Sequence, residues 1–214
     1  MFSEDLETML LIDWDGVSQM VNEIMDVNHT LDRPRVKSWL ESDNFDINED
    51  LFATLYSFVN FYAQKIGTKP DIEARRGMYR AGVPRLSDII GLKAAQCVEI
   101  SALAQLYLQE AGMDSSLFTG EVLWKKKHEF GEMHTFIPLK FEGKEYIFDP
   151  ANSHRTSISD ESAMLLPRIQ VVQNFRERVG RDRKTYVDTR SVFNSEPVWY
   201  GVGDQSNVTP DDFV

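Results

Sequence analysis

The stretch from Gly91 to Gly120 constrains the fold more than any other, because it contains a helix that is apolar on nearly every side. The residues behind Cys97 are mostly apolar: Val98, Ile100, Ala102, Leu103, Ala104, Leu106, Tyr107 and Leu108. A helix of this kind is typical of the middle of a domain. The pair Ala111-Gly112 then supplies the residue type that ends helices in a left-handed turn. We therefore predict a buried central helix with Cys97 in its first turn.

Cys97 is the only cysteine of the chain. At a helix N-terminus, unpaired backbone amides and the positive end of the helix dipole favour the thiolate over the thiol. A nucleophilic cysteine would be expected there, but a free cysteine also packs as a small hydrophobic residue. This stretch taken alone is compatible with a catalytic thiol and equally with a structural one.

Composition and charge narrow the classes of function. The chain carries 34 acidic and 23 basic residues, a net charge of -11, and such a protein repels nucleic acid and anionic membranes. A single cysteine excludes an internal disulfide and a zinc site built from cysteines. We expect no signal peptide in the acidic N-terminal stretch, and no apolar stretch approaches the length of a membrane span. We expect a cytoplasmic protein without metal or cofactor; a secretion system that reads other signals and the oligomeric state stay open.

Apolar residues at helical spacing predict a largely helical first third. The predicted helices are 3–28 with a break at 13–16, 51–66 closed by Gly67, and a short helix 87–92. We predict loops around Pro34 and over residues 68–84. The acidic run 43–50 resembles a calcium loop but lacks the required glycine and glutamate, so its acids are expected to begin the next helix.

A predicted hairpin occupies residues 132–150. Alternating residues up to Phe141 indicate a strand, Glu142-Gly143 is a tight-turn pair, and residues 146–148 form a second strand. With a two-residue turn, Ile137 faces Phe148, and Asp149 lies on the same face of the sheet as His134. The two are then diagonal neighbours about 7–8 Å apart at the backbone, a gap that their side chains can bridge. A turn of odd length would break this argument.

The remaining predictions concern the second half of the chain. We predict a strand over 117–124, a polar loop over 125–132, a helix over 162–178 around Pro167, a strand over 186–193, and a frayed tail from Gly201 on. The basic residues Arg176, Arg178, Arg181, Arg183 and Lys184 are interpreted as a solvated face. The histidines outside the hairpin, His29, His128 and His154, are expected on the surface.

Cys97, His134 and Asp149 make chemical sense together. A thiol attacks a carbonyl carbon only after it loses its proton. A histidine can take that proton and return it to the leaving group. An aspartate fixes the tautomer of the imidazole and stabilises its cation.

Several features of the chain occur in one known superfamily: Cys97 at a helix start, Gly112 and Gly120 after it, His134-Thr135-Phe136, and Asp149-Pro150. Over about residues 86–152 the chain resembles the transglutaminase-like cysteine enzymes, which include transglutaminases, bacterial transglutaminase-like proteases and peptide N-glycanases and share a papain-like core. The resemblance implies that Cys97 is the nucleophile, His134 the base and Asp149 the orienting acid. Ala95 replaces a common glycine and Ser116 a frequent arginine, which leaves the substrate class open.

We therefore predict an α+β fold, with a helical N-terminal region and a papain-like core in which the cysteine helix packs on an antiparallel sheet. One domain is expected over residues 1–200, divided into a helical part, 1–67, and a catalytic core, 68–200, with a flexible tail, 201–214. The predicted function is thiol-dependent acyl transfer from an amide of a protein or peptide substrate, most simply hydrolysis by a protease, amidase or glutamine deamidase. A transglutaminase and a non-catalytic peptide-binding module are the alternatives.

Overall fold

The computed structural model describes residues 10–42, 47–66, 70–124, 132–151, 169–174, 179–180, 184–188, 198–202 and 205–206. Within these residues, α-helices come first and antiparallel β-strands follow, so the protein is α+β, as the sequence predicts. No helix in this part of the chain is long and apolar enough to cross a lipid bilayer.

The helices that the structure describes are α1 (Trp14–Thr30), α2 (Arg33–Ser42), α3 (Glu49–Phe61), α4 (Ile72–Ala81), α5 (Leu86–Gly91) and α6 (Cys97–Glu110). A π-helical turn, Tyr62–Ile66, continues α3. Asn48 caps α3, because its side chain accepts hydrogen bonds from the amides of Asp50 and Leu51. Glu49 and Asp50, which were predicted to begin a helix, lie in its first turn.

The predicted helix over residues 3–28 is wrong for residues 10–12, and residues 3–9 lie outside the described part. Leu11 forms an isolated parallel bridge with Arg85, and α1 begins at Trp14, inside the predicted break. The side chain of Asp13 accepts hydrogen bonds from the backbone amide and the hydroxyl of Ser87. These contacts hold the segment in an extended form against α5.

Two predicted loops are helices. Pro34 lies in the first turn of α2, where its missing N–H costs nothing, because that amide has no partner inside a helix. Residues 72–81 form α4, capped by Asp71, whose side chain accepts a 2.9 Å hydrogen bond from the amide of Ala74. Gly77 lies inside α4, where a glycine costs about 1 kcal/mol relative to alanine but does not end a helix.

The described strands are β1 (Asp114–Ser115), β2 (Phe118–Trp124), β3 (Glu132–Phe141), β4 (Lys144–Phe148), β5 (Ile169–Asn174), β6 (Val179–Gly180), β7 (Lys184–Asp188), β8 (Val198–Val202) and β9 (Gln205–Ser206). Seven of them form an antiparallel sheet in the order β1-β3-β2-β7-β8-β5-β4. Because β3 also pairs with β4, the pairings that run from β3 through β2, β7, β8, β5 and β4 return to β3. β6 pairs with β9. The β3–β4 register is the predicted one, with Ile137 opposite Phe148 and Phe141 opposite Lys144.

The cysteine helix α6 lies in the core. Residues 99–108 are all buried, and Gly112 has the positive φ angle, 74°, that was predicted for the end of this helix. The helix contacts α1, α5 and β3. Ser101 of α6 is fully buried, and its hydroxyl donates a 3.0 Å hydrogen bond to the carbonyl oxygen of Thr135 in β3. The buried helix therefore packs on the sheet at its N-terminal end.

Predictions for the last part of the chain were less successful. The predicted helix over 162–178 is wrong for residues 169–174, which form β5 between β4 and β8. The predicted strand over 186–193 is confirmed for residues 186–188, which belong to β7, a strand that begins earlier, at Lys184. Residues 189–193 lie outside the described residues. Gly201 and Val202 continue β8, and Gln205 and Ser206 form β9, so the predicted frayed tail is wrong for these four residues. The loop residues 125–131, and the basic cluster apart from Lys184, lie outside the described residues.

Candidate active site

Cys97 is the first residue of α6, as predicted, and its thiol is free and only partly buried. Residues four apart lie on the same face of a helix, and Ser101 and Gln105 follow Cys97 at that spacing. Ser101 bonds to β3, and Gln105 donates a 2.9 Å hydrogen bond from its Nε2 to the carbonyl oxygen of Ser115 in β1. The face of α6 that carries the thiol is therefore the face docked on the sheet.

The hairpin brings His134 and Asp149 together. Glu142 and Gly143 both have positive φ angles, 49° and 77°, as in the two-residue turns that match the twist of paired strands. This even-length turn places residues 134 and 149 on the same side of the sheet. His134 lies in β3, and Asp149 follows directly after the end of β4.

The His134 ring and the Asp149 carboxylate are in contact, with 2.9 Å between Nε2 and Oδ1. The Asp149 side chain is 1% exposed and that of His134 is 17% exposed. Burial on its own lowers the pKa of His134. The hydrogen bonds to Asp149 and Cys97, and the negative charges of these two groups, outweigh it and raise that pKa to about 10. This raised pKa favours the imidazolium form of the ring.

The pKa of the Cys97 thiol is shifted in the opposite direction, to a lower value. Burial raises the pKa of Cys97, but the hydrogen bond and positive charge of His134, together with a backbone hydrogen bond from Thr135, lower it below its ordinary value. The nearby Glu99 opposes this decrease. Because Nε2 of His134 contacts Asp149, Nδ1 is the ring nitrogen left for the thiol. The two pKa shifts together favour a thiolate–imidazolium pair.

Sequence analysis missed a group of polar side chains beside the thiol. Glu99 of α6 is buried and bonds to Arg75 and Tyr79 of α4. The spacing from Gln96 to Glu99, three residues across a helix start, is the one at which an acid reaches back to the first amide, and it could have revealed this role of Glu99. Nothing in the sequence relates Glu99 to Arg75, because α4 was predicted as a loop.

The other histidines take no part in this arrangement as far as the structure describes them. His29 is exposed on α1, as predicted, and His128 and His154 lie outside the described residues. Among the described residues, no group of three or more histidine, cysteine or acidic side chains is placed to hold a metal ion.

Comparison of the sequence with models of known protein families and with curated proteins finds no match. What the site can do therefore follows from its own geometry. A thiolate at a helix start, an imidazolium beside it and a buried carboxylate behind the ring are the groups that nucleophilic attack on a carbonyl carbon requires.

Proposed function

We propose that the protein is a cysteine-dependent enzyme that transfers an acyl group from an amide of a protein or peptide substrate, with water as the favoured acceptor. Cys97 is the nucleophile, His134 the general base and acid, and Asp149 the residue that orients the ring. The observation that carries the proposal is the 2.9 Å contact between the His134 ring and the buried Asp149, with the Cys97 thiol close enough to that ring for each group to shift the pKa of the other.

A purely structural cysteine does not account for this environment. In apolar surroundings, burial alone raises the pKa of a thiol and leaves it inert. At Cys97 the neighbouring ring and backbone outweigh burial, so that the pKa is lowered. A mostly buried imidazolium also needs a counter-ion, and Asp149 supplies it. These are features of a thiol that reacts.

The reaction proceeds through a thioester. The Cys97 sulfur forms a bond to the carbonyl carbon of the amide, and the carbonyl π electrons move onto the oxygen. When the intermediate collapses, the C–N bond breaks and His134 gives its proton to the leaving amine. Water then attacks the thioester as its proton passes to the neutral ring. Breaking the C–S bond releases the acid and restores the thiolate–imidazolium pair.

The backbone of α6 supplies one donor for the oxyanion. The first amides of a helix have no partner within the helix, and the N–H of Cys97 is adjacent to the reacting sulfur. The preceding amide, that of Gln96, already donates a 2.9 Å hydrogen bond to Oε2 of Glu99. The donor on this helix is therefore Cys97 itself.

A papain-like core and a cytoplasmic location belong to the same proposal and rest on the resemblance and on the composition of the chain. Hydrolysis is favoured over transglutamination because it needs no second substrate site. The two reactions differ only in whether water or a lysine reaches the thioester.

The pH dependence of alkylation at Cys97 tests the proposal without a known substrate. The rate with iodoacetamide is expected to rise at a lower pH than that of an ordinary thiol, because His134 lowers the pKa of Cys97, and His134→Ala should move the rise to higher pH. His29→Ala, which removes an exposed histidine on α1, is the matched control and should leave the curve unchanged. A curve typical of an ordinary thiol and insensitive to His134 would rule out the catalytic role and leave a peptide-binding module.

Mass spectrometry of candidate substrates then identifies the reaction. Conversion of glutamine to glutamate indicates a deamidase, loss of ammonia with cross-linking indicates a transglutaminase, and backbone cleavage indicates a protease. Cys97→Ala protein serves as the control in each assay, because every one of these reactions needs the thioester.

A further inference from the structure

Glu99 is a buried acid two residues after the proposed nucleophile, and its side chain is 0% exposed. Its Oε1 accepts hydrogen bonds from Nε and Nη2 of Arg75, at 2.9 and 2.6 Å, and from the Tyr79 hydroxyl at 2.7 Å. Its Oε2 accepts the amide N–H of Gln96 at 2.9 Å. Burying a carboxylate is costly unless it is paired and hydrogen-bonded, and here both oxygens are occupied.

This cluster connects α4 to the start of α6. Arg75 makes two hydrogen bonds to Glu99, and its guanidinium lies 4.6 Å from the centre of the Tyr79 ring. The amide of Asp71, the capping residue of α4, also donates a 3.1 Å hydrogen bond to the carbonyl oxygen of Lys93, just before α6. Two sets of contacts therefore hold α4 against the segment that delivers Cys97.

The cluster also places charge beside the thiol. Glu99 is close enough to oppose ionisation of Cys97, and Arg75 is close enough for a negative charge on Cys97 to raise the pKa of its guanidinium. The charged and titratable groups that act on the thiol are His134 of β3, with Asp149 behind it, and Glu99 of α6, to which Arg75 and Tyr79 of α4 are bonded. The segment before α6 adds Asp88 and Lys93, both of which are exposed. Arg75 is therefore placed to offset Glu99.

We propose that Arg75 and Glu99 are positioning residues of the proposed active site: Glu99 fixes the first turn of α6 by binding the amide before Cys97, and Arg75 neutralises the charge that Glu99 brings beside the thiolate. The inference rests on the proposed function, since it assigns a role to these residues through the reactivity of Cys97. Both residues act on the reaction through Cys97 and are not themselves catalytic.

Two substitutions with opposite expected effects test the electrostatic part. Glu99→Gln keeps an oxygen for the Gln96 amide but removes the negative charge, so the pH curve of Cys97 alkylation should move to lower pH. Arg75→Met keeps most of the side-chain volume but removes the positive charge, so the curve should move to higher pH. At a pH on the rising part of the curve, each rate should change on the order of threefold, in opposite directions. A purely structural role would move both curves in the same direction.

Arg76→Met is the matched control, because Arg76 is the next residue of α4 and pairs only with the exposed Glu73 among its described contacts. It should leave the curve in place. If Arg75→Met does not fold, as judged by circular dichroism, the double variant Arg75→Met/Glu99→Gln replaces it, since a neutral pair leaves no unpaired buried charge. Its curve should lie at higher pH than that of Glu99→Gln and near that of the native protein.

Hydrogen exchange at the Gln96 amide tests the anchoring part. This amide should be protected in the native protein and in Glu99→Gln, and should exchange at least about tenfold faster in Glu99→Ala, which has no acceptor. The inference would be overturned if the Gln96 amide were as well protected in Glu99→Ala as in the native protein. It would also be overturned if Glu99→Gln and Arg75→Met moved the pH curve of Cys97 alkylation no more than Arg76→Met does. A different result would refute the proposed function: an alkylation curve that is the same in the native protein and in His134→Ala.

Discussion

Replacing Cys97 with alanine should change the way in which stability depends on pH. The pKa of His134 is raised from 6.5 to about 10. The resulting stabilisation of the fold is complete below about pH 6.5 and is lost as the pH rises towards 10. The pKa of Cys97 is lowered from its ordinary 9.0. The resulting stabilisation of the fold is complete above that pH and is lost as the pH falls. Between pH 6.5 and pH 9.0, the ordinary pKa values of the two groups, the two effects oppose each other. The folded pair carries one proton on His134 and the unfolded pair carries one on Cys97, so unfolding changes the number of bound protons little.

In Cys97→Ala only the histidine effect remains. Asp149 still accepts the ring N–H, so the folded variant keeps a proton that the unfolded chain releases above about pH 6.5. Each pH unit then costs up to about 1.4 kcal/mol of unfolding free energy. The total between pH 6.5 and 8 is at most about 1.7 kcal/mol, because the variant also loses the part of the pKa increase of His134 that Cys97 causes. This pair contributes a smaller slope to the native protein over the same interval, because the lowered pKa of Cys97 opposes the effect of His134.

Urea unfolding at several pH values within that interval measures the difference. The unfolding free energy of Cys97→Ala should fall relative to that of the native protein as the pH rises. The double variant Cys97→Ala/His134→Gln is the control and should remove the extra slope. Parallel curves for Cys97→Ala and the native protein would refute the thiolate–imidazolium pair, since the alanine variant would then have lost no compensating charge.

Three further predictions concern the same site. Cys97→Ala should abolish amide-cleaving activity and cost only about 1 kcal/mol near pH 6.5, where a urea titration reads stability; surviving activity would remove the nucleophile assignment. Asp149→Asn should reduce turnover less than His134→Ala, because asparagine can still accept the ring N–H; circular dichroism that shows both variants equally unfolded would assign these residues to the core instead. Ser101→Ala should cost about 1 kcal/mol in a urea titration through the lost hydrogen bond to Thr135 and should slow the alkylation of Cys97; an unchanged alkylation rate would separate the docking contact from the site.

The parts of the site that could be predicted from sequence depend on short-range geometry. The Glu142-Gly143 turn fixes the hairpin register, and the register alone puts residues 134 and 149 on one face of the sheet. The end of α6 was likewise readable from Gly112. In each case the deciding residues are neighbours in the chain, so a local pattern contains the whole argument.

The parts that were missed depend on contacts between distant segments. Helix α4 buries no residue completely, and only Ala74, Met78 and Tyr79 pack partly against the core. This short apolar face is a weak sequence signal, and the helix is also held by Arg75 bonding to Glu99 across 24 positions. Strand β5 was predicted as a helix, and its strand conformation is completed by pairing with β4 on one side and β8 on the other. The Asp71 cap was a local signal for α4 that could have been used.

The polar residues of α6 carry information that its apolar residues do not. Glu99, Ser101 and Gln105 are 0%, 0% and 2% exposed, and they bond to α4, β3 and β1 respectively. Apolar contacts are not directional, so a helix that is apolar all round could pack in several rotations. Buried polar groups need partners, and a shift by one residue, about 100° of rotation, would leave all three without them. The same rotation would carry Cys97 away from His134, so the geometry of the proposed site depends on buried residues that never touch the reaction.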